Sequence, residues 1–207
     1  MARTSGTASV AHLAAVQPPE AEAGRPMRAD AQRNRAQLLA AARDAFTDRG
    51  SDASLEDIAR RAGVGVGTLY RHFPTRQTLV EAVYVEEVEA LCSSAADDVD
   101  GSSWDALVNW FNRFVDYVAT KRALIDEMVA TIGQDARIFR SCHEAIFTAG
   151  EPLLDRAKAD GFVRPDVEFM DAIRIVSGIT MLKNSTPDEI RRVLAVALDG
   201  LRYRSAD

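Results

Sequence analysis

Ser54-Leu55-Glu56-Asp57-Ile58-Ala59-Arg60-Arg61-Ala62-Gly63-Val64-Gly65-Val66-Gly67-Thr68-Leu69-Tyr70-Arg71-His72-Phe73-Pro74-Thr75-Arg76 is the stretch on which the reading of this chain turns. Ser54 offers a hydroxyl cap with an acid three residues on, and Leu55, Ile58, Ala59 and Ala62 recur as the inward face of a helix of about eight residues. Gly63 ends that helix and allows a sharp turn. A second short helix fits between Gly65 and His72 before Pro74 forbids continuation. Two short helices joined by a Gly-containing turn, with another helix before them, are the parts of a helix-turn-helix module. In such a module the first helix lies across the duplex backbone, with its N-terminal amides and the Ser54 hydroxyl toward phosphate. The second enters the major groove. Gly65 and Gly67 remove side chains where the backbone must approach DNA closely. Leu55, Ile58, Val64, Leu69 and Phe73 knit the helices together, and Tyr70, His72 and Arg76 present donors suited to phosphate oxygens.

Working outward, Leu38, Ala41, Ala42, Ala45 and Phe46 recur at helical spacing from near Asp30 until Gly50. Thr75 caps a longer helix through Leu79, Val83, Val88 and Leu91, which ends in the acidic loop 96–102. Further helices are expected at 103–118, at 124–132 with Gly133 as its end, and at 135–160 with a kink or break at Pro152. Two more, 167–184 and 187–204, close the chain, the last opening on Thr186-Pro187-Asp188-Glu189 as cap, first-position proline and acid. No alternating β pattern occurs, so the class is all-α with about nine helices. The expected organisation is a disordered leader over 1–29, a DNA-binding domain over 32–90 with its motif at 54–73, and a helical ligand-sensing and dimerisation domain over 91–204.

The 207 residues, 47% hydrophobic and 27% charged, exclude collagen, wholesale disorder and a disulfide scaffold. No apolar run approaches the roughly 20 residues that span a bilayer, and no membrane partner is expected. A total charge of −6 argues against a polyanion partner only until it is divided along the chain. Residues 25–76 carry ten Arg against six acids, net +4, whereas residues 77–207 carry net −9. A basic first third therefore precedes an acidic body that phosphate repels. Two cysteines, Cys92 and Cys142, read as small hydrophobes in a reducing compartment, with a redox pair as the alternative. The interrupted apolar stretch Val10 to Val16 is too weak for a signal peptide, and a cytoplasmic protein is expected.

Residues 32–90 resemble the DNA-binding domain of the TetR family of bacterial transcriptional regulators. The resemblance rests on Ala41-Ala42-Arg43-Asp44-Ala45-Phe46 with Arg49-Gly50, on Ser54 to Val64, and on Gly67 to Arg76. It implies that Ser54 contacts phosphate, that Val66, Gly67 and Thr68 sit where base edges are read, and that Tyr70, His72 and Arg76 bind the backbone. The reading helix lacks Asn, Gln and Lys, so direct readout falls to thymine-methyl contacts from Val66 and Thr68 and to Arg71 on guanine. The rest is indirect readout of DNA shape. Arg25, Arg28, Arg33 and Arg35 are either a minor-groove arm or a solvated face.

In the body, Trp110, Asn112, Phe114, Tyr117, Met128, Phe139, His143 and Phe147 are the candidate lining of a site for a small, largely apolar effector, with Asn112, Tyr117 and His143 as orienting groups. A plain hydrophobic core is the other reading of the same residues. Ile173, Val176 and Ile179, with Ile190, Leu194, Leu198 and Leu201, are the candidate four-helix interface of a homodimer. No glutamate stands three residues before His12, His72 or His143, and no nucleophile elbow, zinc spacing or phosphate loop is present. Catalysis, a cofactor and a metal are not expected. The chain reads as a ligand-responsive homodimeric repressor on a pseudo-palindromic double-stranded operator. A helical architectural or interaction protein that binds DNA without an effector is the alternative.

Overall fold

The computed structural model describes residues 25–97, 101–132, 137–182 and 185–203. Residues 1–24 of the leader expected over 1–29, the loop residues 98–100, the Gly133 helix end and the residues just after it lie outside the described residues, whereas residues 25–29 are not a disordered leader but the first turns of a helix. The described residues form α1 (Arg25–Arg49), α2 (Leu55–Arg61), α3 (Val66–His72), α4 (Arg76–Ser93), α5 (Ser103–Ile132), α6 (Arg137–Ala159), α7 (Phe169–Thr180) and α8 (Pro187–Asp199), with 3-10 turns at Gly50–Asp52 and Ser94–Ala96. The all-α expectation holds, with eight α-helices among the described residues rather than about nine.

The difference lies in α5, one helix of 30 residues where two were expected. Between Val118 and Leu124 stand only Ala, Thr, Lys and Arg, none of which breaks a helix. Pro152 likewise sits inside an unbroken α6. It removes one N–H and crowds the Thr148 carbonyl, but Ile146, Leu153, Leu154 and Ala157 are buried on either side and hold the helix against its neighbours. At the chain's end, α8 stops at Asp199 rather than near 204 because the tail pairs with the turn after α6. The Tyr203 N–H donates to the Phe162 carbonyl at 2.9 Å and the Arg164 N–H to the Leu201 carbonyl at 3.0 Å. The Arg202 guanidinium lies 4.6 Å above the Trp104 ring.

Two compact units emerge. One contains the described residues up to Glu87 together with Thr120–Cys142, the other Val88–Ala119 with the described residues from His143 onward. In the first, α2 packs on α1 and on α3. Leu38, Leu39, Phe46, Ile58, Leu69, Leu79 and Val80 form its interior, all essentially sealed from solvent. Tyr84 meets Phe139 edge-on at 5.7 Å. In the second unit α7 packs on α8. Thr186 and Glu189 cap α8 reciprocally, with Pro187 in the first turn as the sequence predicts. No helix among the described residues is long and apolar enough to cross a membrane.

Candidate nucleic-acid interface

Helix α2 starts where Ser54 Oγ accepts the Asp57 N–H at 3.1 Å. Only half of a capping box forms, because the Asp57 carboxylate turns away to Arg60, to Arg61 at 2.9 Å and to Arg49 at 3.6 Å. The Arg60 hydrogen bond is the largest of the effects that hold this carboxyl below its usual range. Arg61 reaches on to Asp48 at 3.2 Å, so α2 is tied to the end of α1 by charge as well as by Ile58. The helix ends in a Schellman pattern: Gly63 N–H donates to the Arg60 carbonyl and Val64 N–H to the Ala59 carbonyl, at 3.1 and 3.0 Å. Gly63 has φ +69°, a conformation other residues adopt only with strain.

The turn delivers α3 with two sharply different sides. Leu69 and Phe73 are buried against the unit's interior, while Val66 is 42% and Tyr70 45% exposed, flanked by exposed Gly65, Gly67 and Arg71. Thr68 and His72 are half-buried at the edge. Gly65 and Gly67 differ from Gly63 in kind. A Cβ at either meets nothing within 4 Å, and neither has a positive φ. Among the described residues, nothing in the fold requires glycine at either position. His72 is pushed below its usual value by partial burial, then by the charges of Arg35 and Arg71. At neutral pH it is a neutral ring with one N–H to donate.

Arg76 is a correction. The sequence presents it as an outward donor, but its guanidinium donates to the Ser51 carbonyl at 2.9 Å and to the Ala53 carbonyl, and lies 5.0 Å above the Phe46 ring. It braces the start of α4 against the turn that leads into α2. The sequence signal for this role is Phe46, whose ring a nearby cation favours.

The residues proposed for the effector are only partly brought together. In the second unit Trp110 stacks on Phe114 at 5.6 Å and meets Phe111 and Phe169, while Phe147 meets Phe169 edge-on at 5.2 Å. Tyr117 lies 5.8 Å from Phe114. Trp110 Nε1 is buried without a hydrogen-bond partner, which for an indole N–H is unfavourable. Phe169 and Gly150 were missed by sequence reasoning; a Cβ on Gly150 falls 2.4 Å from Phe169 and 2.7 Å from Trp110. A glycine inside an otherwise regular helix marks a position where close packing is one reason for the missing side chain, and at Gly150 that reason is the pair of rings. Asn112 does not orient toward this cluster as expected, and His143 meets only its outer ring. The Asn112 amide donates to the Val108 carbonyl of its own helix at 2.9 Å, and His143 is exposed, 4.5 Å from Phe147. Met128 and Phe139 belong to the other unit. Cys142 is buried, and burial pushes the half-buried Cys92 thiol up to about 11, where it is no thiolate at neutral pH.

The proposed dimer face also needs correction. Ile173, Val176, Ile179, Leu194, Leu198 and Leu201 are buried within the chain's own second unit, and Ile190 is half-buried. The apolar residues left in solvent lie on other faces of the same helices and at the end of α7: Ile175, Met181, Leu182, Val193 and Val196, the last 71% exposed.

Comparison with known proteins gives the same picture at both ends of the chain. Residues 38–83 match the model of bacterial regulatory proteins of the tetR family, and residues 103–203 match the C-terminal domain of SbtR-like transcriptional regulators. A crystal structure of a TetR transcriptional regulator from Streptomyces coelicolor is 39% identical, covers 83% of this chain and 99% of its own, and superposes with a TM-score of 0.74. A TetR regulatory protein from Mycobacterium vanbaalenii is 33% identical, over 86% of this chain and 100% of its own, with a TM-score of 0.68. The helix-turn-helix-type transcriptional regulator TtgR of Pseudomonas putida is 28% identical over 200 residues, covering 86% of this chain and 95% of its own length.

Proposed function

Because the chain belongs to the TetR family of DNA-binding transcriptional regulators and is not an enzyme, we propose that it works in the cytoplasm as a homodimeric repressor, released from a pseudo-palindromic operator by a small apolar effector. The observation that carries the DNA-contact assignment is the contrast among three neighbouring glycines. Gly63 is demanded by the backbone, whereas Gly65 and Gly67 are demanded by nothing inside the protein. Their value is external, in letting α3 lie close to base edges. In this reading Val66, Gly67, Thr68 and Arg71 face bases. Ser54, whose Oγ accepts from the helix and keeps its O–H to donate, binds phosphate with Tyr70 and His72.

The effector reading is supported by the aromatic cluster around Trp110, which offers stacking surface and an unmatched N–H. The dimer is placed on the exposed flank of α7 and α8, since five solvent-facing apolar side chains there are most simply covered by a second copy. Residues 32–90 act as the reading head and 91–204 as the sensing and pairing body. A nuclease footprint on the DNA flanking the gene, repeated with apolar metabolites, tests the whole proposal. Two protected half-sites about 34–36 Å apart, lost on adding one such compound, are expected. Protection that no compound relieves returns the effector-free alternative.

A further inference from the structure

The arginines of α1 to α3 from Arg33 onward divide into two groups. Arg33 pairs with Asp30, Arg43 with Glu87, Arg49 and Arg60 with Asp57, and Arg61 with both Asp57 and Asp48. Arg35 and Arg71 have no carboxylate partner among the described residues. Arg35 is exposed on α1, yet its guanidinium carbon is held 5.7 Å over the ring of buried Phe73. The Phe73 ring lies 6.3 Å from that of His72. A guanidinium resting on a π-face keeps its full charge and leaves its N–H edge free for a second partner. The aromatic platform limits the freedom of a long side chain without neutralising it, as preorganised anion binding requires. His72, half-buried beside both cations, feels their charge.

We propose that Arg35, carried by α1 over Phe73, completes with His72 a seat for one phosphate of the DNA backbone beside the C-terminal end of α3. This rests on the reading of α3 as the groove-entering helix and adds to it a contact from α1. It also decides between the two sequence readings of the arginine-rich helix start at this one position. Arg35 is neither a solvated charge nor a minor-groove finger, because its stacking fixes it beside the backbone-facing edge of α3.

The test uses the full-length protein and the duplex it recovers from a random-sequence library, with each phosphate in turn replaced by a neutral methylphosphonate. Wild type is expected to lose about tenfold in affinity at each contacted linkage, and one of these in each half-site is the Arg35 linkage. Arg35→Gln should lose about as much on the native duplex, lose nothing further at that linkage, and lower the salt slope by about one per protomer. Its melting temperature should be that of wild type, since the side chain is exposed. If Arg35→Gln binds native DNA like wild type, or remains as sensitive to that linkage, the proposal is overturned. Ser54→Ala and Tyr70→Phe separate this from the reading beneath it. If they weaken binding while Arg35→Gln does not, only the Arg35 contact falls; if none of the three matters, the placement of α3 falls too.

Discussion

The exposed side of α3 and the exposed flank of α7 and α8 are both surfaces that the chain leaves uncovered, and they are opposite in chemistry. On α3 the outward residues are two glycines, a valine, a tyrosine and an arginine, small or hydrogen-bonding, in the basic third of the chain. On α7 and α8 they are Ile175, Val193 and Val196, with Met181 and Leu182 just beyond α7, in the acidic remainder. A face that donates hydrogen bonds and permits close backbone approach suits phosphate and base edges. A face of branched aliphatics suits another protein. Each helix also has a buried apolar stripe, and the difference between stripe and flank governs what a substitution does.

The largest effect expected follows from that difference. Leu198→Glu places a charge at a position 2% exposed and should destabilise the body by about 4 kcal/mol or more, read as loss of cooperative unfolding. Val196→Glu, two residues away and 71% exposed, should keep cooperative unfolding, with only the part of the melting temperature that dimerisation supplies lost, and yield folded monomers in sedimentation with poor operator affinity. If Val196→Glu stays dimeric, the flank is not the interface. Gly150→Ala, which drives a Cβ into Trp110 and Phe169, should cost about 1–3 kcal/mol in denaturant titration. Arg76→Ala, by removing the brace to Ser51 and Ala53, should cost about 1–2 kcal/mol, and its DNA-binding defect should vanish when affinity is corrected for the folded fraction. Gly67→Ala carries the opposite sign. It should stabilise the fold by up to about 1 kcal/mol through helix propensity while weakening operator binding in gel-shift titration. Smallest is a pH effect. Asp57 has its folded pKa held below the usual carboxylate range, so its ion pairs stabilise the head fully above that range and are lost as pH falls through the folded value. Asp57→Asn should flatten this acid limb.

The reading head was legible because its boundaries are chemical. Ser54, Gly63 and Pro74 each do something to the backbone that few other residues do, so the two short helices could be placed almost to the residue. The interface was not legible in the same way. The period of Ile190, Leu194, Leu198 and Leu201 marks a stripe that avoids water, but a period is silent about whether the cover comes from the same chain or another. That Val193 and Val196 lie off that stripe, as a second apolar face, is legible in the period, but that the chain itself leaves them exposed was visible only after packing. Arg76 was misread because a cation near a motif looks outward until the carbonyls of Ser51 and Ala53 are seen beneath it. Phe169 was missed because the ring that covers Trp110 comes from a helix distant in sequence.

Methylation interference by dimethyl sulfate on the recovered operator tests the placement of α3 most directly, because N7 of guanine opens on the major groove and N3 of adenine on the minor. Two patches of guanine N7 interference, about one helical turn apart, are predicted, and Arg71→Ala should erase one guanine from each. Interference confined to adenine N3, or binding untouched by any methylated guanine, contradicts it.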